Sequence, residues 1–219
     1  MTAVLGIDEA GRGPVIGPMV MAGVVVPEQD FQTLKSMGVK DSKLLSPKQR
    51  EKLFPQITRM ATGYKIVTLS AQEIDDALLS ETSNLNWLEA QTTATILNAL
   101  MHQKAIVDCP SNNIGAYTRY LRNLLSNKNI PLIVEHKADV NWPIVSAASI
   151  LAKVTRDAEI EKLKKKYGDF GSGYASDPKT KDFLKENYAR YPELFRKTWQ
   201  PFKNASEGKK QASLADFGH

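Results

Sequence analysis

Five short runs of this 219-residue chain, at 3–7, 19–26, 64–68, 105–108 and 132–136, are apolar and bounded by turn formers or charge. That pattern predicts β-strands. Helical spacing fills the ground between and after them: Leu85, Leu88, Ile96 and Leu100 recur at roughly helical intervals, as do Tyr117, Leu121 and Leu124. A further helix is expected to begin near Pro143, a residue suited to a first turn, and to end at the turn former Gly168. Strands come first in a run and then alternate with helices. This order predicts an α/β domain whose sheet starts as antiparallel hairpins and finishes with parallel crossovers.

After Gly168 the pattern changes. Gly171-Ser172-Gly173-Tyr174 is followed by Asp177-Pro178, which opens a charged helix to about Tyr188, and then by irregularly spaced aromatics. Residues 170–202 read as a small helical appendage to a domain spanning 1–169, and 203–219 as a polar, flexible tail. The chain contains no internal repeat and no low-complexity tract.

Composition adds limits. With 42% hydrophobic and 24% charged residues, a chain of this length can bury roughly 70% of its unfolded surface and needs no disulfide or metal staple. The single Cys109 cannot form an internal disulfide, which points to a reducing, cytoplasmic setting. The longest apolar stretch, 15–26, is interrupted by Gly17, Pro18 and Gly23, and it falls short of the roughly 20 residues of a spanning helix. Asp8, Glu9 and Arg12 interrupt any apolar core of an export signal. No interface signal stands out, so a monomer is expected.

Charge is uneven. Residues 1–150 hold 14 Lys+Arg and 14 Asp+Glu, whereas 151–219 hold 15 and 10, so the formal excess of +5 belongs to the last third. Such a distribution suits a polyanionic partner. It also suits a helix C-terminus capped by Lys162, Lys164, Lys165 and Lys166.

Two strand-like runs finish on acids, Leu5-Gly6-Ile7-Asp8-Glu9 and Ile106-Val107-Asp108, and Asp139 follows a third, Ile133-Val134-Glu135-His136. If these strands are neighbours, Asp8, Glu9, Asp108 and Asp139 converge at the sheet edge where open α/β sheets bind ligands. Such a cluster repels itself at neutral pH unless cations join it. Oxygen-only ligands indicate a hard ion, Mg or Mn, and a pair of such ions supports phosphodiester hydrolysis. Taken singly, Asp8 also fits a turn, Asp108 a solvent-facing position and Asp139 a helix cap.

Ala10-Gly11-Arg12-Gly13-Pro14 follows directly, with Gly17-Pro18 beyond it. A dinucleotide loop is excluded, because Pro14 precedes another strand and not a helix. Glycines flanking an arginine allow backbone amides to approach a ligand while the guanidinium meets a phosphate; a tight interstrand turn has the same composition. On the helix after Pro143, Ser146, Ser149, Lys153 and Arg156 fall within an arc of roughly 80°. That stripe is either a phosphate track or a solvated face. His136, near Asp139, is a candidate for proton transfer or for a local hydrogen bond.

Asp-Glu-Ala-Gly-Arg-Gly at 8–13 resembles the signature of the ribonuclease HII family. Further blocks agree in order: Lys40-Asp41-Ser42-Lys43, Val107-Asp108, Lys137-Ala138-Asp139, the Ser146-Ala147-Ala148-Ser149-Ile150-Leu151-Ala152-Lys153 segment, and Gly171-Ser172-Gly173-Tyr174 through Pro178. The resemblance implies an RNase H-like fold, with a mixed five-stranded sheet flanked by helices and a C-terminal helical appendage. It implies cleavage of the RNA strand of RNA/DNA hybrids, and cutting 5' of single ribonucleotides in duplex DNA, to leave 3'-hydroxyl and 5'-phosphate ends. Removal of ribonucleotides and RNA primers would be its role.

By the same resemblance Asp8, Glu9, Asp108 and Asp139 bind two Mg or Mn ions during catalysis. Gly11, Arg12 and Gly13 meet the 2'-hydroxyl and adjacent phosphate, Tyr174 stacks on the next sugar, and Lys43 contacts a phosphate with Ser42 placing it. Ala175 stands where the family often has Pro. The terminus 209–217 resembles the Gln-x-x-aliphatic-x-x-aromatic motif that binds the sliding clamp PCNA, through Gln211, Leu214 and Phe217, with Gly218 in place of a second aromatic. A single-chain enzyme with such a tail is archaeal in type. A clamp-recruited, non-catalytic adaptor is the competing reading, and four acids beside phosphates argue against it.

Overall fold

The computed structural model describes residues 1–39 and 42–215, with side chains described as far as Glu207. Its strands are β1 (Ala3–Ala10), β2 (Met19–Pro27), β3 (Gly63–Leu69), β4 (Lys104–Asp108) and β5 (Leu132–Glu135). Its helices are α1 (Phe31–Ser36), α2 (Pro47–Met60), α3 (Ala71–Leu79), α4 (Leu85–Ala99), α5 (Ile114–Leu124), α6 (Ala138–Asn141), α7 (Pro143–Tyr167), α8 (Pro178–Asn187) and α9 (Gln200–Ala215). The chain divides into two compact units, 1–10, 20–68 and 84–157 in the first, and 11–19, 69–83 and 158–219 in the second. The consecutive division expected at 169 and 202 differs from this one, because two short early segments pack with the C-terminal third.

The first unit holds the sheet, in the order β3-β2-β1-β4-β5. β1 lies antiparallel to β2 and parallel to β4, and β4 lies parallel to β5, as the hairpin-then-crossover pattern predicts. Period-two alternation sorts its side chains into two layers. Val4, Val24 and Ile106 join Leu53 and Ile57 of α2 and Ile144 and Val145 of α7. Leu5, Ile7 and Val107 join Ile96 of α4 and Tyr117 and Leu121 of α5. Each large aliphatic buried this way contributes about 1.5–3 kcal/mol.

Gly6 decides how closely α7 approaches the central strand. A Cβ at this position would stand 2.6 Å from the carbonyl carbon and oxygen of Ile144, so only glycine allows the helix backbone to rest on β1. Helix α2 starts with a capping box between Ser46 and Gln49, which satisfies two orphan amides.

The second unit has its own apolar cluster: Val15, Ile16, Ile160, Phe170, Leu184, Leu194 and Phe195. An isolated bridge pairs Ile16 with Phe195. Buried Asp75 on α3 accepts from the amides of Lys197 and Thr198, at 2.7 and 2.9 Å, and from the Thr198 hydroxyl at 2.6 Å. The polar tail expected from 203 instead continues as α9. Phe202 and Ala205 anchor it on the apolar cluster, and its Lys, Gln, Glu and Ala content is helix-forming. Gln211 and Leu214 fall on this helix, and their side chains, like Phe217, lie outside the described residues. Among the described residues no helix is long and apolar enough to cross a membrane.

Candidate active site

In the parallel β1/β4 pair Ile7 lies opposite Val107, so the next residue on each strand, Asp8 and Asp108, emerges side by side. Glu9 joins them. One carboxylate oxygen from each of Asp8, Glu9 and Asp108 lies within 4.8 Å of the other two. Burial, followed by the Asp108 charge, pushes the Asp8 carboxyl up to about 7; a Ser149 hydrogen bond, the Lys153 charge and the Glu9 amide pull the other way. Burial also raises Asp108, with the Asp139 charge adding to it and the Ala138 amide opposing it. Buried carboxyls raised by a neighbouring acid form a site that a cation would complete, and a set made only of carboxylate oxygens fits a hard divalent ion.

The fourth acid arrives through a strained turn. Lys137 takes the left-handed φ of 57°, which costs a non-glycine residue roughly 1–2 kcal/mol. The turn carries the Ala138 amide to 2.7 Å from Asp108 Oδ1 and starts α6, which places Asp139. Asp139 is buried, stands outside the 4.8 Å group, and has Lys43 Nζ 3.4 Å from its Oδ2.

Helix α7 delivers a polar group to the Asp8 side. Ser149 Oγ and Ser42 Oγ are 2.8 Å apart, and Lys153 Nζ donates to both, at 2.7 and 2.6 Å. Ser42, Ser146, Ser149 and Arg156 are buried and Lys153 is half-buried, so the predicted stripe is not a solvated face. Arg50 of α2 holds the turn that carries Ser42 and Lys43, donating to the carbonyls of Ser42 and Leu45 at 3.2 and 2.8 Å. His136 Nδ1 lies 3.0 Å from the Cys109 carbonyl, so that ring makes a local hydrogen bond.

The Gly11-Arg12-Gly13 loop belongs to the second unit. Gly11 has φ 83°, a conformation that needs glycine. Tyr174, 41% exposed, belongs to the same unit, and its Cε1 lies 3.6 Å from the position a Gly13 Cβ would occupy. Asp177 braces the Tyr174 turn by accepting from the Ser172 amide at 2.7 Å.

A family model described as Ribonuclease HII matches residues 5–202. The chain belongs to the ribonuclease HII family. It is therefore a nuclease acting on RNA in RNA/DNA hybrids. It is 49% identical to ribonuclease HII of Pyrococcus furiosus over 221 residues, with 97% of this chain and 96% of the relative covered. The crystal structure of ribonuclease H2 from Pyrococcus horikoshii OT3 matches with a TM-score of 0.86 at 44% identity, covering 95% of this chain and 99% of that one. The ribonuclease HII in the PCNA complex from Archaeoglobus fulgidus matches with a TM-score of 0.82 at 41% identity, covering 92% and 96%.

Two arginines of this ribonuclease HII family member carry little signal in the sequence. Arg50 lies on a helix with no distinguishing neighbour. Fully buried Arg196 donates to the carbonyls of Gly11, Arg12 and Gly17, at 2.6–3.1 Å, from a position about 180 residues later in the chain. The one signal in the sequence was an arginine set among Phe195, Trp199 and Phe202, an apolar run where a cation needs partners.

Proposed function

We propose that this protein cuts the RNA strand of hybrids, and 5' of single ribonucleotides in duplex DNA, by metal-dependent hydrolysis that leaves 3'-hydroxyl and 5'-phosphate ends. The observation that carries this reading is the convergence of Asp8, Glu9 and Asp108 oxygens within 4.8 Å, at the C-terminal edge of two parallel strands. Asp8, Glu9, Asp108 and Asp139 would hold two divalent ions, Mg or Mn. When bound, such ions supply water activation and charge stabilisation on the leaving oxygen.

The chain's own residues do the rest. Ser149 and Lys153 hold the Asp8 carboxylate in place, and Ser42 is bonded to both. Ser146 and Arg156 extend the same helix face. Lys43, exposed and cationic beside Asp139, meets a substrate phosphate. Gly11, Arg12 and Gly13 take the 2'-hydroxyl and its phosphate, the group by which RNA differs from DNA at one nucleotide. Tyr174 packs on the following sugar, where a second 2'-hydroxyl would crowd the ring.

Ribonucleotide and primer removal follow from such a specificity. The Gln211, Leu214 and Phe217 motif takes a sliding clamp, a reading supported by the PCNA complex of the Archaeoglobus relative. A monomer in the cytoplasm fits this role.

The test is incision of duplex DNA carrying one ribonucleotide, beside an all-DNA duplex, with Mg, Mn or EDTA. Cutting confined to the 5' side of the ribonucleotide, and abolished by EDTA, is the expected result. Tight binding without cutting under either metal would return the adaptor reading.

A further inference from the structure

We propose that Arg196 is a positioning residue that presents the Gly11-Arg12-Gly13 loop to the ribonucleotide, and so sets discrimination between RNA and DNA. The proposal rests on the reading of that loop as the 2'-hydroxyl site. The structure supplies the geometry. Arg196 Nη2 donates to Gly11 O at 2.6 Å and to Gly17 O at 3.0 Å, Nη1 to Arg12 O at 2.7 Å, and Nε to Gly17 O at 3.1 Å. Trp199 lies under the guanidinium, 4.9 Å from Cζ to ring centroid, and its Nε1 donates to Gly13 O at 3.2 Å.

A trans peptide is planar, with its carbonyl and its amide hydrogen pointing in opposite directions. Pinning the Gly11 and Arg12 carbonyls onto Arg196 therefore turns the amides of Arg12 and Gly13 the opposite way, as an adjacent pair of donors. The other two anchored carbonyls, of Gly13 and Gly17, precede Pro14 and Pro18, which have no amide hydrogen to redirect. Every carbonyl that Arg196 and Trp199 anchor thus either aims a donor away from them or aims none. Two adjacent amides suit one oxygen acceptor, such as a 2'-hydroxyl or the phosphate beside it. Arginine is required because one planar fork must reach three carbonyls at once; an ammonium is a single point donor.

The experiment measures affinity for a duplex with one ribonucleotide and for the same duplex as DNA, in an Asp108→Asn background that prevents turnover. Arg196→Lys is compared with the parent, and circular dichroism checks the fold. The expected result is a loss of preference for the ribonucleotide duplex of about tenfold, with affinity for the DNA duplex changed less than twofold. A parallel fall in both affinities, or an unchanged ratio, overturns the proposal and leaves Arg196 as a structural strut. If Arg196→Lys does not fold, Trp199→Phe decides: it keeps the ring and loses the bond to Gly13, and a partial loss of preference is expected, whereas an unchanged preference overturns the proposal. A parent protein that binds both duplexes equally refutes the underlying loop reading instead.

Discussion

Lys43 Nζ stands 3.4 Å from Asp139 Oδ2, with the lysine side chain 65% exposed and the carboxylate 5% exposed. An exposed ammonium beside a buried acid adds little to folding but remains reachable by a phosphate. Lys43→Met is expected to slow hydrolysis by about 10–100-fold, with stability changed by no more than about 0.5 kcal/mol. Single-turnover rates and thermal melts check this. A wild-type rate would make Lys43 a mere surface charge.

Asp8 gives the metal-free protein a pH dependence with a defined sign. Burial and the neighbouring Asp108 charge push its carboxyl up to about 7 in the folded state, well above the ordinary carboxylate range, so the folded state holds a proton that the unfolded chain has released. The contribution of Asp8 to stability falls as pH rises from about 4 to about 7 and stays low above that. In EDTA at pH 8, Asp8→Asn should therefore melt above wild type. Added Mg should stabilise wild type alone, because its ligand is intact. A variant melting below wild type in EDTA would contradict this.

Gly6→Ala tests the seat of α7. Its Cβ would lie 2.6 Å from backbone atoms of Ile144, so helix or strand must shift, at about 1–3 kcal/mol. The shift would also carry Ser149 and Lys153 away from Asp8, so activity should fall more than the lost stability explains. Denaturant unfolding together with rates at a temperature where the variant stays folded measures both.

The five strands were legible because each is a short apolar run ended by charge or turn formers, and Asp8 and Asp108 could be read as strand-end acids. Their register was not, since it depends on pairing that only the assembled sheet fixes. Helix α2 carries Pro55 inside it, and a mid-helix proline hides a helix from pattern reading. The solvated or phosphate-tracking stripe on α7 could not be resolved from an 80° arc alone; Ser146 and Ser149 are buried, which depends on what packs against the helix and not on spacing along it. Arg196 and Asp75 were out of reach because their partners are distant in sequence, and a buried charge is recognisable only through what surrounds it.

The C-terminal motif makes its own prediction. Leu214→Ala with Phe217→Ala should abolish binding to a sliding clamp while leaving hydrolysis of free substrate unchanged. Surface plasmon resonance against the clamp and an incision assay without it separate the two effects, and unchanged clamp affinity would sink the motif reading.

The most direct measurement is the incision rate of Asp108→Asn on a single-ribonucleotide duplex in saturating Mg, beside wild type, with both proteins confirmed folded by thermal melt. Asp108 shares the 4.8 Å group with Asp8 and Glu9 and feels the charge of Asp139, so removing its charge should disable the site. The expected result is a folded protein whose rate falls at least about a thousandfold. A folded variant cutting at the wild-type rate would contradict the assignment of these carboxylates as the catalytic centre.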